Sequence, residues 1–214
     1  MAEYNSDEER LTAIMDFLKR NQRTILLTFG AVFFTAITSV SVNSYYASQN
    51  AQAAELYDAW FIATLEETND LDKKASTFTA LQENFSKTGY AGLARLIKGS
   101  QEAREGNLEA GLKEFYELLD ATSGLFGNDV LNIIARMNIA RIELSNDNFS
   151  NALEVLEPLN SSSEHPMVYE VKADALVGLN KNELALVQYN LAIINIQDES
   201  QKSLLKIKIN KLTQ

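Results

Sequence analysis

Asn138-Ile139-Ala140-Arg141-Ile142-Glu143-Leu144-Ser145-Asn146-Asp147-Asn148-Phe149-Ser150-Asn151-Ala152-Leu153-Glu154-Val155-Leu156-Glu157-Pro158-Leu159 reads as two helices joined near Asn148-Phe149. A small residue, Ala140, precedes the turn, and Ala152, Leu156 and Leu159 follow it at helical spacing. The same pattern stands on both sides. Gly99 precedes Gly106-Asn107-Leu108, with Gly111, Phe115 and Leu118 behind it, and Ala173 precedes Lys181-Asn182, with Ala185, Tyr189 and Ala192 behind it. The matched positions lie 41 and then 33 residues apart, the longer interval reflecting an insertion around Ser123-Gly124-Leu125-Phe126-Gly127.

Small residues where paired helices cross let the axes approach, and a facing aromatic or Leu fills the adjacent gap. Gly or Asn in the turn permits the left-handed backbone that ends the first helix. One pair cannot bury its apolar stripe alone, so pairs stack, and the period falls close to the tetratricopeptide spacing of about 34 residues. Repeats are expected near residues 90–122, 131–163 and 166–198. An earlier pair covers residues 49–67 and 71–85, broken at Asn69-Asp70, with Leu56, Trp60, Ala63 and Leu65 candidates for its buried face. A closing helix over 200–212 alternates Leu204, Leu205, Ile207 and Ile209 with lysines, and a polar outer face would stop further stacking. An unrelated α-bundle is the alternative.

No charged residue occurs between Arg23 and Glu55. The apolar run from Ile25 to Val42 makes a helix of roughly 27 Å at about 1.5 Å per residue, enough to cross a bilayer's hydrocarbon. Its Thr and Ser hydroxyls can bond back to helix carbonyls. Tyr45 and Tyr46 follow at headgroup depth, while Lys19, Arg20 and Arg23 precede it, so the bias of positive charge places the N-terminus in the cytoplasm. The expected organisation is a cytoplasmic tail (1–23), a transmembrane helix (24–46) and a domain outside the cytoplasm (47–214), which in a bacterium is periplasmic. The fold class is thus all-α, a single N-terminal transmembrane helix followed by a tetratricopeptide-like helical-repeat solenoid. A cleaved signal peptide is the rival, because Ala51-Gln52-Ala53 has the form of a cleavage site. The apolar run exceeds the roughly 7–15 residues of a signal core and ends well before that site, which favours a retained anchor. In the tail, Ser6-Asp7-Glu8-Glu9 reads as a capping box, and Leu11, Ile14, Met15 and Leu18 share one face of a short helix that turns near Asn21. Ala31, Thr35 and Ser39 form a small-residue stripe, a candidate for transmembrane contact.

The chain's 214 residues carry a net charge of −10, of which −9 lies beyond residue 42. Such an acidic domain lacks the basic surface that nucleic acid requires. Cysteine is absent, which excludes disulfides, thiolate metal sites and cysteine nucleophiles. The single histidine, His165, stands beside Pro166 without a second His or Cys to make a metal site or a triad. Gly106, Gly111 and Lys113 lack the phosphate-loop spacing, and Asp70 and Asp72 are followed by Lys73, Lys74 and Ala75, which are wrong for calcium. Glu8-Glu9 and Glu66-Glu67 read as solvated faces, and the glycosylation-type triplets at Asn84, Asn148 and Asn160 as chance. No catalytic residue, metal ligand, cofactor or small-molecule substrate is therefore expected, and the chain reads as a protein-binding scaffold rather than an enzyme.

Tyr90-Ala91-Gly92-Leu93-Ala94-Arg95-Leu96, Asn138-Ile139-Ala140-Arg141-Ile142, Lys172-Ala173-Asp174-Ala175-Leu176 and the closing Lys206-Ile207-Lys208-Ile209-Asn210-Lys211-Leu212 resemble the YfgM-like ancillary SecYEG translocon subunits, membrane-anchored periplasmic tetratricopeptide proteins. The resemblance covers nearly the whole chain. It implies a bacterial inner-membrane protein associated with the SecYEG translocon and a PpiD-type periplasmic chaperone, helping pass secreted clients into the periplasmic chaperone network. An organiser acting through the cytoplasmic tail is the alternative. In a tetratricopeptide stack the first helices line the concave face, which makes Ser100, Arg104, Asn138, Arg141, Glu170 and Asp174 the candidate partner-binding residues; packing against a neighbouring helix is the alternative for some. Leu96, Ile97 and Met137 occupy places where carboxylate-clamp residues would stand, so apolar or whole-domain partners are expected rather than a C-terminal tail.

Overall fold

The structure, a computed structural model, describes residues 7–65, 71–124, 127–159 and 165–213. Its regular elements there are helices: α1 (Asp7–Leu65), α2 (Leu71–Phe85), α3 (Gly89–Arg104), α4 (Leu108–Ala121), α5 (Asp129–Ser145), α6 (Phe149–Leu156) with a 3₁₀ turn at Glu157–Leu159, α7 (Pro166–Gly178), α8 (Asn182–Asn195) and α9 (Glu199–Leu212). The chain divides into two compact units, Met1–Ala51 and Gln52–Gln214. The expected capping Ser6, the break at Asn69-Asp70 and Glu66-Glu67 lie outside the described residues, as do Leu125, Phe126 and Asn160.

In the first unit, α1 runs through Asn21 without the expected turn. The Asn21 amide donates to the Phe17 carbonyl at 2.9 Å, and α1 contains no proline and a single glycine, Gly30. Thr28, Thr35 and Thr38 donate to the carbonyls of Thr24, Ala31 and Phe34, each at 2.9 Å, which satisfies their hydroxyls without water. Leu26, Leu27, Phe29, Phe33, Phe34 and Val40 are exposed all round the helix. Among the described residues one helix, α1, is long and apolar enough to cross a bilayer.

In the second unit, Ala53, Trp60 and Ala63 are buried, and Trp60 packs with Phe78, Leu81, Ala91 and Ala94. Leu65, a candidate for this face, is instead 66% exposed, because five residues at 3.6 per turn carry it about 140° round the helix from Trp60. The next helices pair as α3 with α4, α5 with α6 and α7 with α8.

Each pair turns in the same way. Gly106 (φ +87°), Asp147 (φ 58°) and Asn180 (φ 58°) hold left-handed backbone. Their amides donate three residues back, to Ala103, Leu144 and Val177, while Asn107, Asn148 and Lys181 donate five back, to Glu102, Glu143 and Leu176. This double closure satisfies carbonyls that a helix end would otherwise leave open. The left-handed position falls on Asp147 and Asn180, one residue before the Asn148 and Lys181 named from the sequence; their short polar side chains tolerate that conformation.

The small residues of the repeat sit at the crossings, with Ala140, Ala152, Ala173, Ala185 and Ala192 fully buried. Phe115, Ile139, Leu156 and Val168 fill the central core, and Tyr189, Ile196 and Leu205 the terminal one. α9 closes that end through Leu205, Ile209 and Leu212. Its outer face is not wholly polar, since Leu204 and Ile207 are 62% and 54% exposed.

Candidate functional site

α3 and α5, the first helices of consecutive pairs, leave a cleft of about 300 Å³ between them. Ser100, Ala103 and Arg104 line it from α3, Asn138, Arg141, Ile142 and Ser145 from α5, and Phe115 of α4 lies beneath. The last turns of α3 and α5 are therefore the structure that gathers these side chains.

The polar groups of the cleft are only partly spoken for. The Ser100 hydroxyl donates to the Leu96 carbonyl at 2.7 Å, and the Asn138 amide donates to the Ile134 carbonyl at 3.0 Å. The Asn138 Oδ1 accepts no hydrogen bond among the described residues. Among the described residues, Arg141 reaches the Met167 sulfur, at 3.5 Å. Neither Arg104 nor Arg141 enters an ion pair among the described residues.

Glu170 and Asp174 stand elsewhere. Lys208 of α9 lies 2.8 Å from each carboxylate, and the Tyr189 hydroxyl donates to Asp174 at 2.5 Å. Burial raises the Tyr189 pKa, reinforced by the bond to Asp174, so this tyrosine stays neutral through the physiological range. Burial works against the Lys208 ammonium, but the two carboxylates outweigh it and raise its pKa. Both carboxylates thus serve the closing helix. The sequence signal was present in Lys208, which no local pattern connects to residues more than thirty positions earlier.

A second charged group escaped the sequence reading. Glu114 is buried beside Phe115 and meets Arg95 at 2.9 Å and Lys98 at 2.5 Å, while Arg95 also pairs with Glu117. Lys98 additionally stands 4.4 Å over the Phe78 ring. These groups hold α3 on α4. Met137, moreover, is buried, and Leu96 and Ile97 pack into the cores, so none of the three stands where a carboxylate clamp would reach a ligand. Those positions face inward and say nothing of a ligand. His165 is exposed at the start of α7, ahead of Pro166. Ala31, Thr35 and Ser39 are exposed on α1, with the Thr35 hydroxyl already bonded to the Ala31 carbonyl.

The tetratricopeptide repeat-like domain model matches residues 15–214. The ancillary SecYEG translocon subunit of Buchnera aphidicola subsp. Acyrthosiphon pisum (strain APS) is 20% identical over 190 residues, which cover 87% of this chain and 94% of that protein. It is a protein of the kind that the motifs quoted above resemble. No solved structure matches significantly. With three helix pairs closed by the same turn and one family model covering nearly all of its length, the chain belongs to the tetratricopeptide repeat-like domain family.

Proposed function

We propose that this chain is an inner-membrane scaffold, anchored by residues 24–46, whose repeat domain lies in the periplasm and engages the SecYEG translocon. There it helps pass secreted proteins to the periplasmic chaperone network together with a PpiD-type chaperone. The translocon part of the reading is supported by the name and near-complete coverage of the Buchnera relative. The observation that carries the binding role is the cleft between α3 and α5, where Ser100, Arg104, Asn138 and Arg141 converge from two repeats. Partner binding by a rigid helical stack needs side chains held at fixed spacing on a solvent-facing surface, and these four have that placement. Ala31, Thr35 and Ser39 offer a second contact, within the bilayer, where small residues let another helix come close.

Arg141→Glu tests the cleft. Arg141 is exposed and outside every described ion pair, so its reversal is expected to change domain stability by less than about 0.5 kcal/mol. Recovery of SecYEG or the chaperone from detergent extracts is expected to fall about fivefold, corresponding to about 1 kcal/mol at an interface. Undiminished recovery with an intact melting transition would move the binding surface away from this cleft.

A further inference from the structure

α8 buries Ala185, Tyr189 and Ala192 in the terminal core, against α7 and α9. At 3.6 residues per turn the line Leu184, Val187, Leu191 and Ile194 is centred roughly 150° round the helix, almost opposite that packed face. Leu184, Val187 and Ile194 are 55%, 53% and 76% exposed, and Leu191 is half-buried. Among the described residues, no other helix of the second unit carries more than two exposed large apolar side chains; Ile62 and Leu65 of α1, Tyr90 and Leu93 of α3, and Leu204 and Ile207 of α9 are such pairs. The repeats themselves show what these positions can carry. Counted from the crossing residues Gly111, Ala152 and Ala185, the place of Val187 is taken by Lys113 in α4 and Glu154 in α6. The place of Leu191 falls on Glu117 and Pro158, and that of Ile194 on Asp120 in α4. Positions that are mostly charged in the first two pairs are therefore apolar in the third. A continuous apolar line on a solvent-facing helix marks a contact surface.

We propose that α8 pairs with the α8 of a second copy of this chain, antiparallel about a two-fold axis. Steps of three, four and three residues make a coiled-coil seam, and that order reads the same in both directions. A two-fold therefore brings Leu184 against Ile194 of the second copy and Val187 against Leu191. Charge selects the occupant. The chain beyond residue 42 carries −9, so two copies repel over most of their surface, whereas Glu183 is the one charged residue among the fourteen of α8. Antiparallel pairing sets the two Glu183 residues about 18 Å apart along the seam, beyond the Debye length of roughly 10 Å at 0.1 M salt. Parallel pairing would set them together and align the helix dipoles unfavourably. A different protein would gain register and specificity from complementary charge, which α8 does not offer, and would have no use for a palindromic seam. Two helices of this length bury less than the roughly 1,200 Å² of an ordinary stable interface. The pairing is thus weak in free solution and is strengthened when the anchors proposed above hold the copies in one bilayer.

The chain lacks cysteine, so introduced thiols can pair only with one another. Purified full-length Leu184→Cys and Ile194→Cys, one of them carrying a size tag, are reconstituted together in phosphatidylcholine vesicles, oxidised with copper phenanthroline and resolved without reductant. Lys113→Cys, exposed at the equivalent place on α4, measures collisional crosslinking. The mixed Leu184→Cys and Ile194→Cys dimer is expected to exceed the Lys113→Cys dimer about fivefold, a difference of about 1 kcal/mol. It should equally exceed the dimers that either seam variant forms with itself, because two copies of position 184 lie about 15 Å apart along an antiparallel seam. Adding Val187→Glu and Leu191→Glu to both partners is expected to return the mixed dimer to the collisional level while leaving the melting temperature unchanged. A mixed dimer no stronger than the Lys113→Cys control would overturn the proposal, as would self-pairing of Leu184→Cys in excess of the mixed pair. So would a dimer indifferent to the two glutamates, or glutamates that lower SecYEG recovery while no mixed dimer forms, which would give the stripe to another protein. Should the glutamates unfold the domain, the comparison of cysteine pairs still decides.

Discussion

Phe115→Ala is expected to destabilise the repeat domain by about 3–5 kcal/mol, a large share of the roughly 5–15 kcal/mol available to a domain. Phe115 is 1% exposed and belongs to the core that joins α4, α5, α6 and α7. Its ring edge also fills the space left by Gly99, where a Cβ would stand 3.0 Å from the ring. The two positions are a matched small and large pair at a helix crossing, which gives the prediction a second arm. Gly99→Ala alone pushes against the ring and against Glu114, whereas in the Phe115→Ala background the added methyl enters a cavity. The double variant is expected to recover about 1 kcal/mol relative to the sum of the single changes. Thermal unfolding of all four proteins by circular dichroism measures that coupling. Strict additivity would show that Gly99 and Phe115 do not share one crossing.

Removal of residues 1–46 is expected to transfer the protein wholly from membrane pellets to the soluble fraction. The truncation spares Ala53, Trp60 and Ala63, which the α2–α3 core needs, so the released domain should retain its cooperative melt. Conversely, intact-mass measurement of the membrane-extracted full chain should find the N-terminal segment still attached. A species beginning at Ala54 would restore the signal-peptide reading, and a pelleted truncation would locate membrane attachment in the repeat domain.

Most of the repeat architecture was legible because it is written locally. Gly99, Ala140 and Ala173 declare crossings, and Gly111, Ala152 and Ala185 answer them twelve residues later. The structure buries all six. Turn positions were legible to within one residue, since Asn148 advertises a turn more loudly than Asp147 yet the left-handed backbone falls on Asp147. What escaped was long-range. Lys208 captures Glu170 and Asp174 across more than thirty residues, and Glu114 is buried because Arg95 and Lys98 wait for it on another helix. A helical periodicity cannot state which charged side chain will meet its partner. At α1 the sequence suggested a turn at Asn21, but without proline or glycine beside it an Asn that bonds its own helix carbonyl does not break the helix. The cleft lay between: Ser100, Arg104, Asn138 and Arg141 were legible from their place on first helices, whereas the engagement of Glu170 and Asp174 by α9 was not.

In the function proposed above, the α3–α5 cleft, and not another surface of the repeat domain, meets the translocon or its chaperone. A photo-crosslinking amino acid placed at Asn138 in the full chain, irradiated in membranes and followed by mass spectrometry, tests it most directly. A matched position at Glu154, exposed on α6, serves as the control. The expected result is an adduct to a SecYEG component or a PpiD-type chaperone from position 138 and none from position 154. The same partners captured from both positions, or from 154 alone, would contradict it.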